Sequence, residues 1–239
     1  MRIRSGIPEI DRLEDECAAQ APPLVASIDD VLVDAESVQI SAKTLGLARL
    51  AERPNLRRLI ASGVGDSELK HIARLSMLEQ LELTDPKVSD LRMLSGLSQL
   101  RLLSVSVGRR LRSLEGIEKL AKLELISTWN TPALQSIDAL ARLRGLRVVF
   151  LSGGMYKPMR IPSLRPLAEL DHLMRLSLSS VRVTDGSLKP LTRLRSLRRL
   201  DLPLSFPADE FAMLERALPE AAGMWRELWR GNPAATAKV

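Results

Sequence analysis

A ladder of leucines recurs seven times along this chain of 239 residues. Most copies place apolar residues at intervals of three, three and two, as in Leu75, Leu78, Leu81 and Leu83. Counted from the second rung, the copies begin at Leu56, Leu78, Leu100, Leu123, Leu146, Leu173 and Leu197, so consecutive copies are 22 to 27 residues apart. A period in this range is typical of a solenoid, in which each repeat buries its apolar face against its neighbours.

Each repeat divides into a strand half and a helix half. In LEQLELT, residues 78–84, apolar and polar residues alternate from Leu81 onward, which predicts a short strand with one buried face. Upstream lies an apolar run with a spacing of three, such as Leu91, Leu94 and Leu97, which is typical of a short 3₁₀ or α turn. In five copies the residue before this run is of a helix-capping type, namely Asp90, Ser113, Ser136, Ser163 and Ser187.

Two stretches carry a family resemblance, VSDLRMLSGLSQLRLL (residues 88–103) and VTDGSLKPLTRLRSLRRLDL (residues 183–202). They resemble the repeats of internalin-like bacterial leucine-rich repeat proteins and of the phosphatase-regulatory repeat class. The resemblance implies an α/β leucine-rich repeat solenoid, a horseshoe with short parallel strands on the concave face and short α or 3₁₀ helices on the convex face, capped at both ends.

One position departs from the family pattern. The family usually has asparagine three residues after the last strand leucine, whereas this chain has Val64, Pro86, Gly108, Thr131, Gly154, Val181 and Ser205. We therefore expect the turns to be satisfied by other groups.

The ends of a solenoid need covers, because the outermost repeats would otherwise expose core leucines. We assign residues 1–34 to an N-terminal segment and cap, 35–205 to about eight repeats, 206–230 to a C-terminal helical cap and 231–239 to a disordered tail. Val38 and Ile40 indicate a degenerate first strand, and a helix over residues 10–19 is expected to cover that end. The C-terminal cover is expected to come from Phe206, Phe211, Leu214, Leu218, Met224, Trp225 and Trp229.

The number of cysteines and the length of the apolar runs indicate the cellular compartment in which the chain is expected. Cys17 is the single cysteine, so no internal disulfide can form, and a reducing compartment is the default. No apolar run approaches the roughly 18–20 residues of a membrane span, and the first residues do not resemble a secretory signal. We expect a cytoplasmic chain that is monomeric when free and has no cofactor or metal. His71 and His172 lie too many repeats apart to share a metal or a catalytic site, so we expect no enzymatic activity.

The outward positions of the predicted strands suggest where a partner would bind. In the middle copies these positions are apolar, with Leu102, Leu125 and Val148 as a floor and Trp129, Phe150 and Tyr156 as aromatic anchors. Met155 and Tyr156 lie at the tip of a long loop, residues 152–162. A charged rim is expected from Glu82, Arg147, Arg175, Arg199 and Asp201. The alternative is that Trp129 and Phe150 fold under the long loop as a local core.

Three functions are compatible with this surface. The favoured one is a non-enzymatic module that binds another protein as a regulator, adaptor or inhibitor, by analogy one that neutralises an enzyme or toxin. The net charge of +6 leaves a nucleic-acid-binding solenoid as an alternative that is less expected, because no groove-reading motif accompanies the charge. That alternative would use Arg57, Arg58, Arg175, Arg198 and Arg199. The third function is a self-associating structural protein, with the apolar patch as its dimer surface.

Overall fold

The computed structural model describes residues 6–226. Eight strands form one parallel sheet in chain order. They are β1 (Ser37–Ser41), β2 (Arg58–Ser62), β3 (Gln80–Thr84), β4 (Leu102–Ser106), β5 (Leu125–Trp129), β6 (Val148–Ser152), β8 (Arg175–Ser179) and β10 (Arg199–Asp201). Two short strands, β7 (Met159–Ile161) and β9 (Val181–Val183), pair in parallel beside this sheet. This open parallel sheet, with one strand from each repeat, is the sheet expected of the predicted leucine-rich repeat solenoid.

The ladder positions face the core. In β3 and β4, for example, Leu81 pairs with Leu103 and Leu83 with Val105, and all four side chains are buried. Because the strands stay in register from β1 to β10, equivalent side chains of successive repeats stack in rows. One apolar core therefore runs along the repeats.

Short helices form the other side of each repeat. The α-helices are α1 (Pro8–Cys17), α2 (Asp66–Ile72) and α3 (Ala208–Ala217). The 3₁₀ helices are Ile28–Asp30, Leu47–Glu52, Arg92–Gly96, Ile117–Lys119, Asp138–Arg142, Arg165–Leu167 and Lys189–Arg193. Each of the five predicted capping side chains accepts a hydrogen bond from the backbone N–H two residues on. The prediction that they are N-caps is wrong by position, because the N-caps of these 3₁₀ helices are Leu91, Gly116, Ile137, Leu164 and Leu188, and the five side chains stabilise the turn before each helix. Ser113, for instance, accepts from Glu115 at 3.0 Å.

Backbone conformation and apolar packing replace the missing asparagines in the turns. The residue after a strand is left-handed at Gly63, Asp85, Val107, Asn130 and Ser180. This conformation lets the turn amide continue the sheet, as when the Asp85 N–H donates to the Ser106 carbonyl at 2.8 Å. Val64, Pro86, Gly108, Thr131, Gly154 and Val181, which occupy the asparagine position, are buried.

Residues 24–31 cover the N-terminal end of the sheet. Leu24 forms a parallel bridge with Gln39 of β1, and Ile28 is buried against the first repeat. The guanidinium of Arg53, itself buried, donates to the carbonyls of Val31 and Ile28 at 2.9 and 3.0 Å. The helix expected over residues 10–19 is present as α1, but it does not lie at this end. It lies on the concave face.

An aromatic cluster covers the C-terminal end. Phe211 of α3 contacts Phe206 edge-to-face, with 6.1 Å between the ring centres, and stacks on Trp225, with 5.9 Å between the ring centres. Trp225 is fully buried. Met224 is not part of this cover, because it is 53% exposed. The expectations for Trp229 and for the tail at 231–239 lie outside the described residues. No helix within residues 6–226 is long and apolar enough to cross a membrane.

Candidate partner-binding face

The outward side chains of the sheet form three rows across the repeats. The first row is Arg58, Gln80, Leu102, Leu125, Val148, Arg175 and Arg199. The second row is Ile60, Glu82, Ser104, Ser127, Phe150, Ser177 and Asp201. The third row is Ser62, Thr84, Ser106, Trp129, Ser152 and Ser179. The first row is apolar in its middle repeats and polar at its ends. The second and third rows are mainly polar, and each contains one aromatic residue, Phe150 and Trp129 respectively.

Helix α1 covers the middle of the first row. Ile10 and Leu13 pack on Leu102, Leu125 and Val148, and all five side chains are buried. This apolar cluster is separate from the core of the solenoid. The predicted apolar floor is therefore present, but it is occupied by the chain's own helix.

Two ion pairs anchor the sides of α1. Glu9 contacts Arg147 at 2.7 Å, and Glu14 forms an ion pair with Arg175. Arg175 is only 9% exposed, and its guanidinium lies 5.0 Å from the centre of the Phe150 ring. A desolvated arginine needs a paired anion, and an arginine over an aromatic face gains a cation–π contact. Phe150 is thus half-buried beneath the Glu14–Arg175 pair.

Donors from β2 and β3 hold the C-terminal end of α1. The amide of Gln80 donates to the Glu16 carbonyl at 3.2 Å. Arg58 donates to the carbonyls of Ala19 and Gln20, just after the helix, at 2.8 and 2.9 Å. These carbonyls have no partners within a helix, and the C-terminal end of a helix attracts positive charge. The sheet therefore contacts the backbone of α1 and of the residues after it, as well as the side chains of the helix.

Arg101 links α1 to the edge of the first row. Its guanidinium donates to Glu124 at 3.2 Å and lies 3.6 Å from Glu16 of α1. The hydrogen bond to Glu124, followed by the charges of Glu16 and Glu79, raises the pKa of Arg101 above its ordinary value despite partial burial. Arg101 therefore remains a cation in any physiological pH range.

Two of the three predicted anchors, Trp129 and Tyr156, and the loop-tip residue Met155 are open to solvent. Trp129 is 60% exposed, and Met155 and Tyr156 at the loop tip are 86% and 95% exposed. The base of the loop lies close to Asn130, the residue after Trp129, since a Cβ on Gly154 would lie 3.0 Å from Oδ1 of Asn130. Trp129 therefore does not lie in a local core under the loop. We call Trp129, Met155 and Tyr156 the exposed corner.

A cavity of about 660 Å³ lies between α1 and the C-terminal cover. Glu14 and Cys17 of α1 form one wall, and Met224 and Trp225 form the opposite wall. Its floor comes from all three rows and includes Ser127, Phe150, Arg175, Ser177, Ser179, Arg199 and Asp201. The sequence indicated an amphipathic helix through the spacing of Ile7, Ile10 and Leu13, but contained no signal that this helix would form a wall of the site.

The rim arginines are engaged within the chain. The rim residues Glu82 and Asp201 pair with Arg58 and Arg199 at 2.9 and 3.7 Å. Four of the five arginines considered for nucleic acid are thus in ion pairs, namely Arg57 with Glu79, Arg58 with Glu82, Arg175 with Glu14 and Arg199 with Asp201. Within residues 6–226, no group of three His, Cys, Asp or Glu side chains is arranged to hold a metal ion.

No protein-family model matches this chain, and no curated protein matches its sequence. Among solved structures it is similar to the plant peptide hormone receptor RGFR1 in complex with RGF2, with a TM-score of 0.59 and 17% identity over 85% of this chain and 37% of the receptor chain. An internalin from Listeria monocytogenes gives a TM-score of 0.49 and 17% identity over 69% of this chain and 58% of the internalin. The chain spans less than two thirds of either structure. The similarity to the receptor confirms the leucine-rich repeat fold and, at this identity, the fold alone.

Proposed function

We propose that this chain is a scaffold that binds a partner protein on its concave face, at the exposed corner and the adjoining cavity. The observation that carries the proposal is the position of Trp129. It is the one large side chain in a row of serine and threonine residues, and most of its surface is open to solvent. Exposed Trp, Tyr and Met side chains are the residue types enriched at the centres of protein interfaces.

The cavity supports the same face. Its floor comes from all three rows and includes Phe150, Arg199 and Asp201. A partner side chain seated there would contact an aromatic ring and a charged pair, while a neighbouring residue of the partner reached Trp129. Leucine-rich repeat neighbours, including a receptor in complex with RGF2, support a protein-interaction scaffold in general.

The proposed role is that of a regulator, adaptor or inhibitor, in which binding itself is the activity. The single cysteine supports a reducing compartment such as the cytoplasm. The internal ion pairs of Arg57, Arg58, Arg175 and Arg199 leave these residues poorly suited to bind phosphate, which favours a protein partner over nucleic acid.

Affinity capture from a lysate of the source cells, at about 150 mM salt, tests this function. Wild-type chain is compared with Trp129→Ala/Tyr156→Ala and with the matched control Met77→Ala/Met93→Ala, which alters exposed residues of other repeats. We expect one protein to be retained by wild type and control and reduced at least about tenfold by the corner variant, as for loss of interface anchors. Equal retention by all three chains would place the partner elsewhere. Capture of nucleic acid that declines steeply between about 50 and 200 mM salt would contradict a protein partner.

A further inference from the structure

The contact between α1 and the sheet has the composition of an interface between two molecules. The apolar cluster of Ile10, Leu13, Leu102, Leu125 and Val148 does not merge with the core of the solenoid. Charged and polar contacts surround it, as a polar rim surrounds the apolar centre of a protein–protein interface. The sheet and the solenoid core are therefore complete without α1.

The connection after α1 allows the helix to leave. Residues 18–23 read AAQAPP and join α1 to Leu24, where the cover of the N-terminal end begins. Arg58 holds this connection only through two backbone carbonyls. Separation of α1 would break these hydrogen bonds but would leave the pairing of Leu24 with β1 in place.

The first row, together with Arg101 and Arg147 just before its strands, selects for acidic sequence. Helix α1 contains five carboxylates and one arginine, and Glu9, Glu14 and Glu16 meet Arg147, Arg175 and Arg101. Without α1, the guanidinium of Arg175 would lose its carboxylate and remain stacked on Phe150. A replacement for α1 must therefore supply an acid there as well as two apolar side chains, because complementary charges set the orientation of such a contact.

We propose that the first row is a binding site for an acidic amphipathic helix of the partner, and that α1 occupies this site until the partner helix replaces it. The partner helix would present two apolar residues three apart, with a carboxylate directly before the first and another directly after the second, as in Glu9-Ile10 and Leu13-Glu14. This is helix-in-groove recognition built on a parallel sheet. The inference rests on the proposed function, because it names the class of partner that the same face accepts.

A tethered helix is a strong competitor. A short connection holds α1 at an effective concentration of about a millimolar or more. A partner helix then binds with an apparent affinity reduced by the fraction of molecules in which the site is open. The wild-type chain should therefore bind a separate acidic helix weakly, and a chain with α1 released should bind it well.

The test uses a fluorescent peptide with the sequence of residues 6–20, carrying Cys17→Ser, and full-length chains. The variant Ile10→Asp/Leu13→Asp releases α1 by removing its apolar contacts. By fluorescence anisotropy we expect its Kd for the peptide to be at least about tenfold lower than that of wild type. Addition of Arg175→Glu to this variant should abolish binding. A peptide that itself carries Ile10→Asp and Leu13→Asp has more negative charge and should not bind, which separates groove recognition from simple charge attraction.

A second variant keeps the test decisive. Glu9→Lys/Glu14→Lys releases α1 by repulsion from Arg147 and Arg175 without burying a new charge, and should also bind the peptide more tightly than wild type does. Equal binding to wild type and both released chains, or no binding to either released chain with native circular dichroism, would overturn the proposal. A wild-type dimer that Ile10→Asp/Leu13→Asp dissociates in sedimentation would assign the site to a second copy and would also overturn it.

This experiment requires no partner, so its failure is distinguishable from failure of the proposed function. Peptide binding by the released chains, together with equal capture by wild type and Trp129→Ala/Tyr156→Ala, would support the helix site and reject the exposed corner. The reverse pattern would support the corner and reject the helix site.

Discussion

Single residues in the turns show where the repeat pattern conflicts with backbone preference. Four non-glycine residues with left-handed backbone follow strands, namely Asp85, Val107, Asn130 and Ser180. Asparagine and aspartate tolerate this conformation, whereas a β-branched residue does so only at a cost. Val107 has φ of 57° because its N–H must donate to the Trp129 carbonyl at 2.8 Å to continue the sheet. The hydrogen bond between repeats thus outweighs the local preference of valine.

Replacement of Val107 by asparagine should stabilise the chain. Val107 is half-buried, so the change relieves backbone strain while it loses little apolar burial. We expect Val107→Asn to raise the free energy of unfolding by about 1 kcal/mol, measured by urea denaturation. The control Val183→Asn replaces a half-buried valine in β9 and should lower it. A loss of stability in both variants would show that packing, not strain, dominates at Val107.

At the scale of elements, the segment after α3 reaches the last strand only through a close backbone approach. Leu200 of β10 donates to the Ala222 carbonyl at 2.9 Å, and the next residue, Gly223, passes directly over the Leu200 carbonyl. A Cβ on Gly223 would lie 1.8 Å from that oxygen. The attachment of the C-terminal cover therefore requires glycine at this position.

We expect Gly223→Ala to lower the free energy of unfolding by about 3 kcal/mol, because backbone must move to relieve the overlap. Gly186→Ala is the matched control, since Gly186 also has positive φ but has no atom within 4 Å of the added Cβ. Gly186→Ala should lower the free energy of unfolding by only about 1 kcal/mol, which is the strain of an alanine in the left-handed conformation. Thermal unfolding of both variants distinguishes these costs. Equal losses would mean that the overlap is relieved without energetic cost.

Across the whole molecule, each repeat contacts mainly its neighbours, so stability depends on the ends. The core is continuous from the first repeat to the C-terminal cover, where Phe206, Phe211 and Trp225 shield the last leucines from water. In such a nearly one-dimensional array, the loss of an end cover should weaken the adjacent repeats first.

We therefore expect Trp225→Ala to lower the free energy of unfolding by about 3–5 kcal/mol. We also expect it to increase local opening of the C-terminal repeats selectively. Hydrogen exchange should show reduced protection in β8 and β10 and near-native protection in β1, β2 and β3. Trp129→Ala serves as the control because Trp129 is exposed, and its exchange pattern and melting temperature should match those of wild type. A uniform loss of protection in Trp225→Ala would indicate that the solenoid unfolds as one unit.

The sequence by itself determined the repeats, because their information is local and recurs in every copy. The alternation around Leu81 and Leu83, the turn residue Ser113 and the spacing of the copies each specify local structure through residues a few positions away. The same pattern showed that Leu102, Leu125 and Val148 face outward. The sequence of residues 10–19 separately predicted a helix.

Only the tertiary structure decided where that helix lies. Ile10 and Leu13 can be buried against any apolar surface of suitable size, and the pattern of the helix does not distinguish the end of the solenoid from its concave face. The end is already covered by residues 24–31, whereas the first row offers three apolar side chains beside Arg147 and Arg175. The helix binds where burial and charge pairing coincide, and this coincidence exists only once distant repeats stand side by side.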